Sequence, residues 1–120
     1  MDLKECYAEL GGDYHGVVAR FHGEGLVKKF AFKFLGDGSY DLLCQSLEEK
    51  NYEEAFRAAH TLKGICQNLG FTRLYDSSSQ LTEVLRFGWK EGAQELFEQV
   101  ARDYQGTIGP LKSLRAGEDT

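Results

Sequence analysis

Apolar residues recur at three- and four-residue steps along almost the whole chain, the period at which one face of an α-helix returns. Leu3, Cys6, Tyr7 and Leu10 predict a short first helix stopped at Gly11-Gly12. Asp13 is placed to cap a second segment with Val17, Val18 and Phe21 inward. Leu26, Val27, Phe30, Ala31 and Phe34 stripe a third, which closes near Gly36. The turn Gly36-Asp37-Gly38-Ser39 precedes a fourth stripe of Tyr40, Leu43, Cys44 and Leu47. Asn51 is the expected cap of a longer helix with Ala55, Ala59, Leu62, Cys66 and Leu69 as its core face, ended by a left-handed Gly70. Thr72 is the expected cap of the next, lined by Leu74, Ser78, Leu81 and Leu85 and ended by Gly88. The last carries Ala93, Leu96, Phe97, Val100, Tyr104, Ile108 and Leu111, with Gly109-Pro110 expected to end or kink it before Leu111.

No segment sustains the two-residue alternation of a strand, and the connections are short. The pattern therefore predicts an all-α fold: an up-down-up-down antiparallel four-helix bundle with short additional helices at the N-terminus. A length of 120 residues fits one domain, expected over 1–116, with 117–120 a frayed tail. Phe30, Phe34, Phe56, Phe97 and Tyr104 are expected in the core, with Phe56 able to stand half-exposed.

Charge and cysteine usage narrow the function classes. A net charge of −5 argues against a nucleic-acid binder, which needs a basic surface. No apolar run approaches the roughly 20 residues that span a bilayer, and the N-terminus lacks the pattern of a secretion signal. Cys6, Cys44 and Cys66 are odd in number, lack C-x-x-C spacing and fall at apolar helical positions. They read as reduced, buried thiols of a cytoplasmic protein.

The stretch from Ala59 to Gly70 carries the candidate chemistry. His60, Lys63 and Gln67 share one flank of a helix, and Gly64 lies one turn after His60. A mid-helix glycine costs about 0.5–1 kcal/mol relative to alanine. Gly64 is therefore an accidental small residue, a tight-packing residue, or one that clears space beside the imidazole for an approaching surface. A histidine so placed suits a general base, a metal ligand or a phosphoryl carrier. A metal would need further ligands at workable spacing; His15 and His22 lie in another segment without clear partners, so no metal site is expected. Neither the nucleophile-elbow nor the zinc-protease pattern occurs, and no phosphate-binding loop is present, so the chain holds no ATP-binding kinase domain of its own. A phosphoryl carrier needs only an exposed ring nitrogen, a cation and room, which His60, Lys63 and Gly64 supply; Gln67 adds a hydrogen-bond donor.

The run His60-Thr61-Leu62-Lys63-Gly64, with Gly70 following, resembles the H-x-[LI]-K-G-(x)5-G signature of histidine-containing phosphotransfer (HPt) domains. Ala58-Ala59 before it, and Leu69-Gly70-Phe71 with Leu74 after it, fit the same family's central hairpin. The resemblance implies a phosphorelay intermediate in two-component signalling. His60 would take a phosphoryl group on its outer ring nitrogen and exchange it with an aspartate of a response-regulator receiver domain or with a histidine kinase system. Lys63 would steady the phosphate and Gly64 would let the receiver dock. The chain would need no cofactor, since Mg²⁺ belongs to the receiver, and is expected to be a monomer without nucleic-acid or membrane partners. The alternative is a non-catalytic helical module that binds a receiver or kinase through the same face.

Antiparallel packing about Phe71 sets Thr82 opposite His60, with Ser79 and Arg86 one turn to either side. Some HPt domains have an amide or basic side chain here. Thr82 departs from that pattern, which makes Arg86 the better candidate for contacting phosphate or partner, with Thr82 and Phe56 as further contacts. From Lys50 to Lys90 six basic residues face four acidic ones, so this segment is less acidic than the rest of the chain.

Overall fold

The computed structural model describes residues 1–118, which form seven helices and no strand. These are α1 (Leu3–Leu10), α2 (Tyr14–Phe21), α3 (Glu24–Phe34), α4 (Ser39–Glu48), α5 (Tyr52–Leu69), α6 (Thr72–Leu85) and α7 (Ala93–Glu118). They build an all-α bundle in which α4 packs on α5, α5 on α6 and α6 on α7, while α1 lies along α7. The Tyr40 and Tyr104 rings bring α4 against α7, stacked 3.9 Å apart. Phe71, fully buried, contacts Tyr7 and Phe34, whose ring in turn meets Tyr104, so one aromatic cluster ties four helices together. None of the helices is long and apolar enough to cross a membrane.

Local chemistry sets most boundaries. Asp13 accepts a hydrogen bond from the Gly16 N–H and Asn51 from the Glu54 N–H, each satisfying a first-turn donor that has no partner within its helix. Gly70 turns the chain between α5 and α6 at φ +69°. A side chain there would be strained and would crowd Val17 and the Asp13 carbonyl. The turn is also pinned from outside: the Asp13 N–H donates to the Gly70 carbonyl at 2.8 Å and the Arg73 N–H to that of Gly11 at 3.0 Å.

Four local expectations change. Thr72 is not the cap of α6: Phe71 takes that position without a side-chain bond, because its ring is drawn into the aromatic cluster. The Gly11 carbonyl serves the Arg73 N–H in place of a capping hydroxyl. Pro110 does not end α7, which runs on to Glu118. A mid-helix proline costs about 3 kcal/mol, but Leu111 and Leu114 beyond it are buried, and each such leucine returns about 1.5–3 kcal/mol. The segment expected to fray at 117–120 begins helical, with Glu118 paired to Lys28 at 2.7 Å; residues 119–120 lie outside the described ones. Leu26 and Phe30 are not core: they are 48% and 37% exposed, because α3 buries Val27, Ala31 and Phe34, the face one position round. Phe30 stacks on Phe21 instead.

Phe34 and Tyr104 are buried; Phe56 and Phe97 are half-buried against the core. All three cysteines are free. Cys6 and Cys66 are buried, and burial pushes the Cys6 thiol up to about 11 and that of Cys66 higher still. Cys44 is only half-buried, at the edge of a cavity of about 530 Å³ that it shares with Tyr52, Trp89 and Phe97.

Candidate functional site

The site is organised by α5, whose C-terminal end is held from three directions. The Tyr7 hydroxyl, buried, donates to the Leu69 carbonyl at 2.7 Å. The Arg20 guanidinium donates to the Gln67 carbonyl at 3.1 Å and to that of Asn68. Gly70 closes the turn. The last carbonyls of a helix carry partial negative charge, so a guanidinium there both satisfies acceptors and complements the helix dipole. The opposite face of α5 is locked into the core by Ala55, Ala59, Leu62 and Cys66. These contacts fix both the rotation and the axial position of α5, and so fix the place of His60.

His60 is exposed, and its imidazole makes no hydrogen bond within the described residues. Its ring lies 6.1 Å from that of Phe56, one turn earlier. The Arg86 guanidinium, from the end of α6, sits over the Phe56 ring at 5.1 Å. His60, Phe56 and Arg86 thus line one shallow depression of about 360 Å³, with Arg57 and Thr61. Lys63, half-exposed, makes no hydrogen bond or ion pair among the described residues, which leaves its ammonium available. Gly64 is exposed, and a Cβ there would have no neighbour within 4 Å outside its own helix backbone. The tight-packing explanation for this glycine is thereby removed: it opens a gap toward solvent beside the imidazole.

Gln67 stands on the same flank but two turns on, about 10.5 Å along the axis. It lines a separate depression with Arg20, Asp13 and Tyr75. Thr82, expected at the surface opposite His60, is fully buried, and its hydroxyl donates to the Ser78 carbonyl at 2.7 Å. It therefore cannot be a partner contact. The physical reason is helix rotation: Thr82 lies one turn after Ser78 on the buried face of α6, with Leu74, Leu81 and Leu85, and not on its exposed flank. Ser79 is half-buried, and Arg86 is the residue of the three that reaches the depression.

Two acidic contributions were not anticipated. Glu83 pairs with Arg86, Oε1 to Nη2 at 2.8 Å and Oε2 to Nε at 3.3 Å. The Arg86 hydrogen bond, with the charges of Arg86, Lys63 and His60 behind it, holds the Glu83 carboxyl below the usual carboxylate range. Arg57 is likewise tied, to Glu53 at 3.1 Å and Glu54 at 2.9 Å. The signal was readable as oppositely charged residues three and four apart, although spacing alone does not say that the Glu83–Arg86 pair borders the depression that His60 lines. Among the described residues no group of three or more His, Cys, Asp or Glu is placed to hold a metal ion.

An exposed imidazole flanked by an unpaired ammonium and a guanidinium is suited to carrying an anion on its ring nitrogen. In the comparison with protein families, residues 38–109 match the Hpt domain. Searches of curated proteins and of solved structures returned no match.

Proposed function

The chain belongs to the Hpt domain family, which implies phosphotransfer in phosphorelay signalling with receiver domains and kinases, and on that premise we propose that His60 is the residue that carries the phosphoryl group. The observation that supports this most strongly is the setting of His60: exposed, with its ring free of internal hydrogen bonds, and beside the gap at Gly64. In the proposed step the ring-nitrogen lone pair attacks the phosphorus of a receiver's aspartyl phosphate. The N–P bond forms as the P–O bond to the aspartate breaks, and the electron pair leaves on the carboxylate. The proton on the other ring nitrogen passes to solvent, and the return transfer reverses each change.

Lys63 balances charge on the phosphoryl oxygens, and Gly64 leaves room for the receiver's active site, which brings its own Mg²⁺. Phe56 and Arg86 form the adjoining contact surface, apolar and cationic against an acidic pocket. Gln67 is too far along α5 to touch a phosphate on His60 and fits the rim of the docked partner. Three free cysteines suit a reducing compartment such as the cytoplasm.

The test is phosphotransfer from radiolabelled receivers of the same organism to the purified chain. Label should appear on the chain, be acid-labile as a phosphoramidate is, and vanish in His60→Gln. Label that persists in that variant overturns the assignment.

A further inference from the structure

The arginine of the His60 depression does not wait unoccupied. It is held at two points by Glu83, and its planar head lies over Phe56, whose ring in turn borders His60. Through Arg86, which lines the depression with His60, Glu83 is held at its rim. The bare site therefore keeps the carboxylate of Glu83 on the cation that borders Phe56 and His60. A phosphoryl group on His60 would bring close to two negative charges into the same depression. It would repel Glu83 and offer the guanidinium a second anion with the same fork geometry. Exposed ion pairs are readily exchanged, and the flat Phe56 face gives Arg86 a surface to slide along without losing its cation–π contact.

We propose that Glu83 and Arg86 form a phosphate-responsive latch: Arg86 is parked on Glu83 while His60 is bare and swings to the phosphoryl oxygens when His60 is charged. Glu83 is a positioning residue. Its charge competes for Arg86 and opposes the phosphoryl group, which weakens His60's hold on its cargo and favours onward transfer. Arg57 provides the contrast within the same depression, because its partners Glu53 and Glu54 lie toward the start of α5 and away from Lys63. This inference rests on His60 as the phosphorylated residue.

The experiment charges the purified chain with phosphoramidate, a small phosphoryl donor that needs no partner protein. The ring nitrogen forms its bond to phosphorus as the donor's P–N bond breaks, and ammonia leaves from the protonated amine with that electron pair. The charged fraction at a fixed phosphoramidate-to-ammonia ratio is read by phosphorus NMR. Glu83→Gln should raise the equilibrium constant for charging about three-fold or more, and Arg86→Gln should lower it by a similar factor. Those are factors expected of one unit charge acting across an exposed gap, and both should shrink in 1 M salt. Glu5→Gln, an exposed charge on α1 outside the depression, should leave the constant unchanged. In the parent protein the Arg86 Nε–H resonance should move on charging. No charging of the parent, or charging that survives His60→Gln, overturns the phosphohistidine assignment and the latch with it. Normal charging with Glu83→Gln equal to the parent overturns the latch alone, as do Glu83→Gln and Arg86→Gln shifts of the same sign.

Discussion

A methyl group added at Gly64 would separate what this residue does for folding from what it does for signalling. The position is mid-helix, exposed, and open for 4 Å around a Cβ. Alanine there meets no clash and gains the full propensity difference, about 0.5–1 kcal/mol. For a domain of this size that raises the melting temperature by roughly 2–5 °C. The same methyl stands in the gap beside His60, so transfer from a phosphorylated receiver should slow, and Gly64→Gln should slow it much further while the fold stays intact. Stability is measured by thermal melting followed by circular dichroism, transfer by the rate of label appearance on the chain. An alanine variant that melts lower refutes the open geometry. A glutamine variant that relays as fast as the parent refutes the role of the gap. The opposite signs of the two effects on one residue are those of a site that trades stability for access.

Three further outcomes follow from the contacts described above. Thr82→Val removes only the bond to the Ser78 carbonyl, so the urea midpoint should change by less than about 1 kcal/mol in stability terms and transfer should not change; a large loss of transfer would return Thr82 to the site. Arg20→Met deletes the guanidinium donors at the end of α5 and should cost about 0.3–1 kcal/mol, seen as a lower urea midpoint and faster amide exchange in the last turn of α5. The Cys6 thiol is raised by burial, then by Glu9, from an ordinary 9.0 to about 11, so the unfolded chain releases its proton first. Its contribution to stability is whole below pH 9 and is lost as pH climbs from 9 to 11; urea melts at pH 8 and pH 10.5 should show a smaller difference in Cys6→Ala than in the parent.

The helices, the glycine stops at Gly11 and Gly70 and the caps Asp13 and Asn51 were legible in the sequence because each depends on neighbours within four residues; the stop expected at Gly88 was not, since α6 ends at Leu85 with Arg86 as its cap. So was the flank that joins His60, Lys63 and Gly64. What depended on distant residues was not. Pro110 lies inside α7 because buried leucines beyond it outweigh its cost. Phe30 is exposed because α3 turns Val27, Ala31 and Phe34 to the core, and it stacks on Phe21 instead. Thr82 illustrates the limit of counting outward from a turn: opposing positions on paired helices are set by register, but whether a side chain faces seam or solvent depends on a rotation of a few tens of degrees. Arg20 and Tyr7, which anchor α5, carry no local signal at all, since their partners are more than 40 residues away.

The anchoring of α5 at its far end turns the stretch between His60 and Gly70 into a ruler. Each residue adds about 1.5 Å and about 100° of rotation. With Leu69 and Gln67 tethered to Tyr7 and Arg20, a single insertion or deletion within that stretch would turn His60 a quarter of the way round the helix. That would carry it out of reach of Arg86 and push a polar ring toward the core. The segment of 87–92 between α6 and α7, with its left-handed Gly88 and Gly92, meets α5 only where Trp89 stacks on Tyr52 at the start of that helix, two turns before His60, and can lengthen without turning the imidazole. Changes in chain length should therefore be tolerated after Arg86 and excluded before Gly70, so that the count of ten residues from His60 to Gly70 is a mechanical constant of the site.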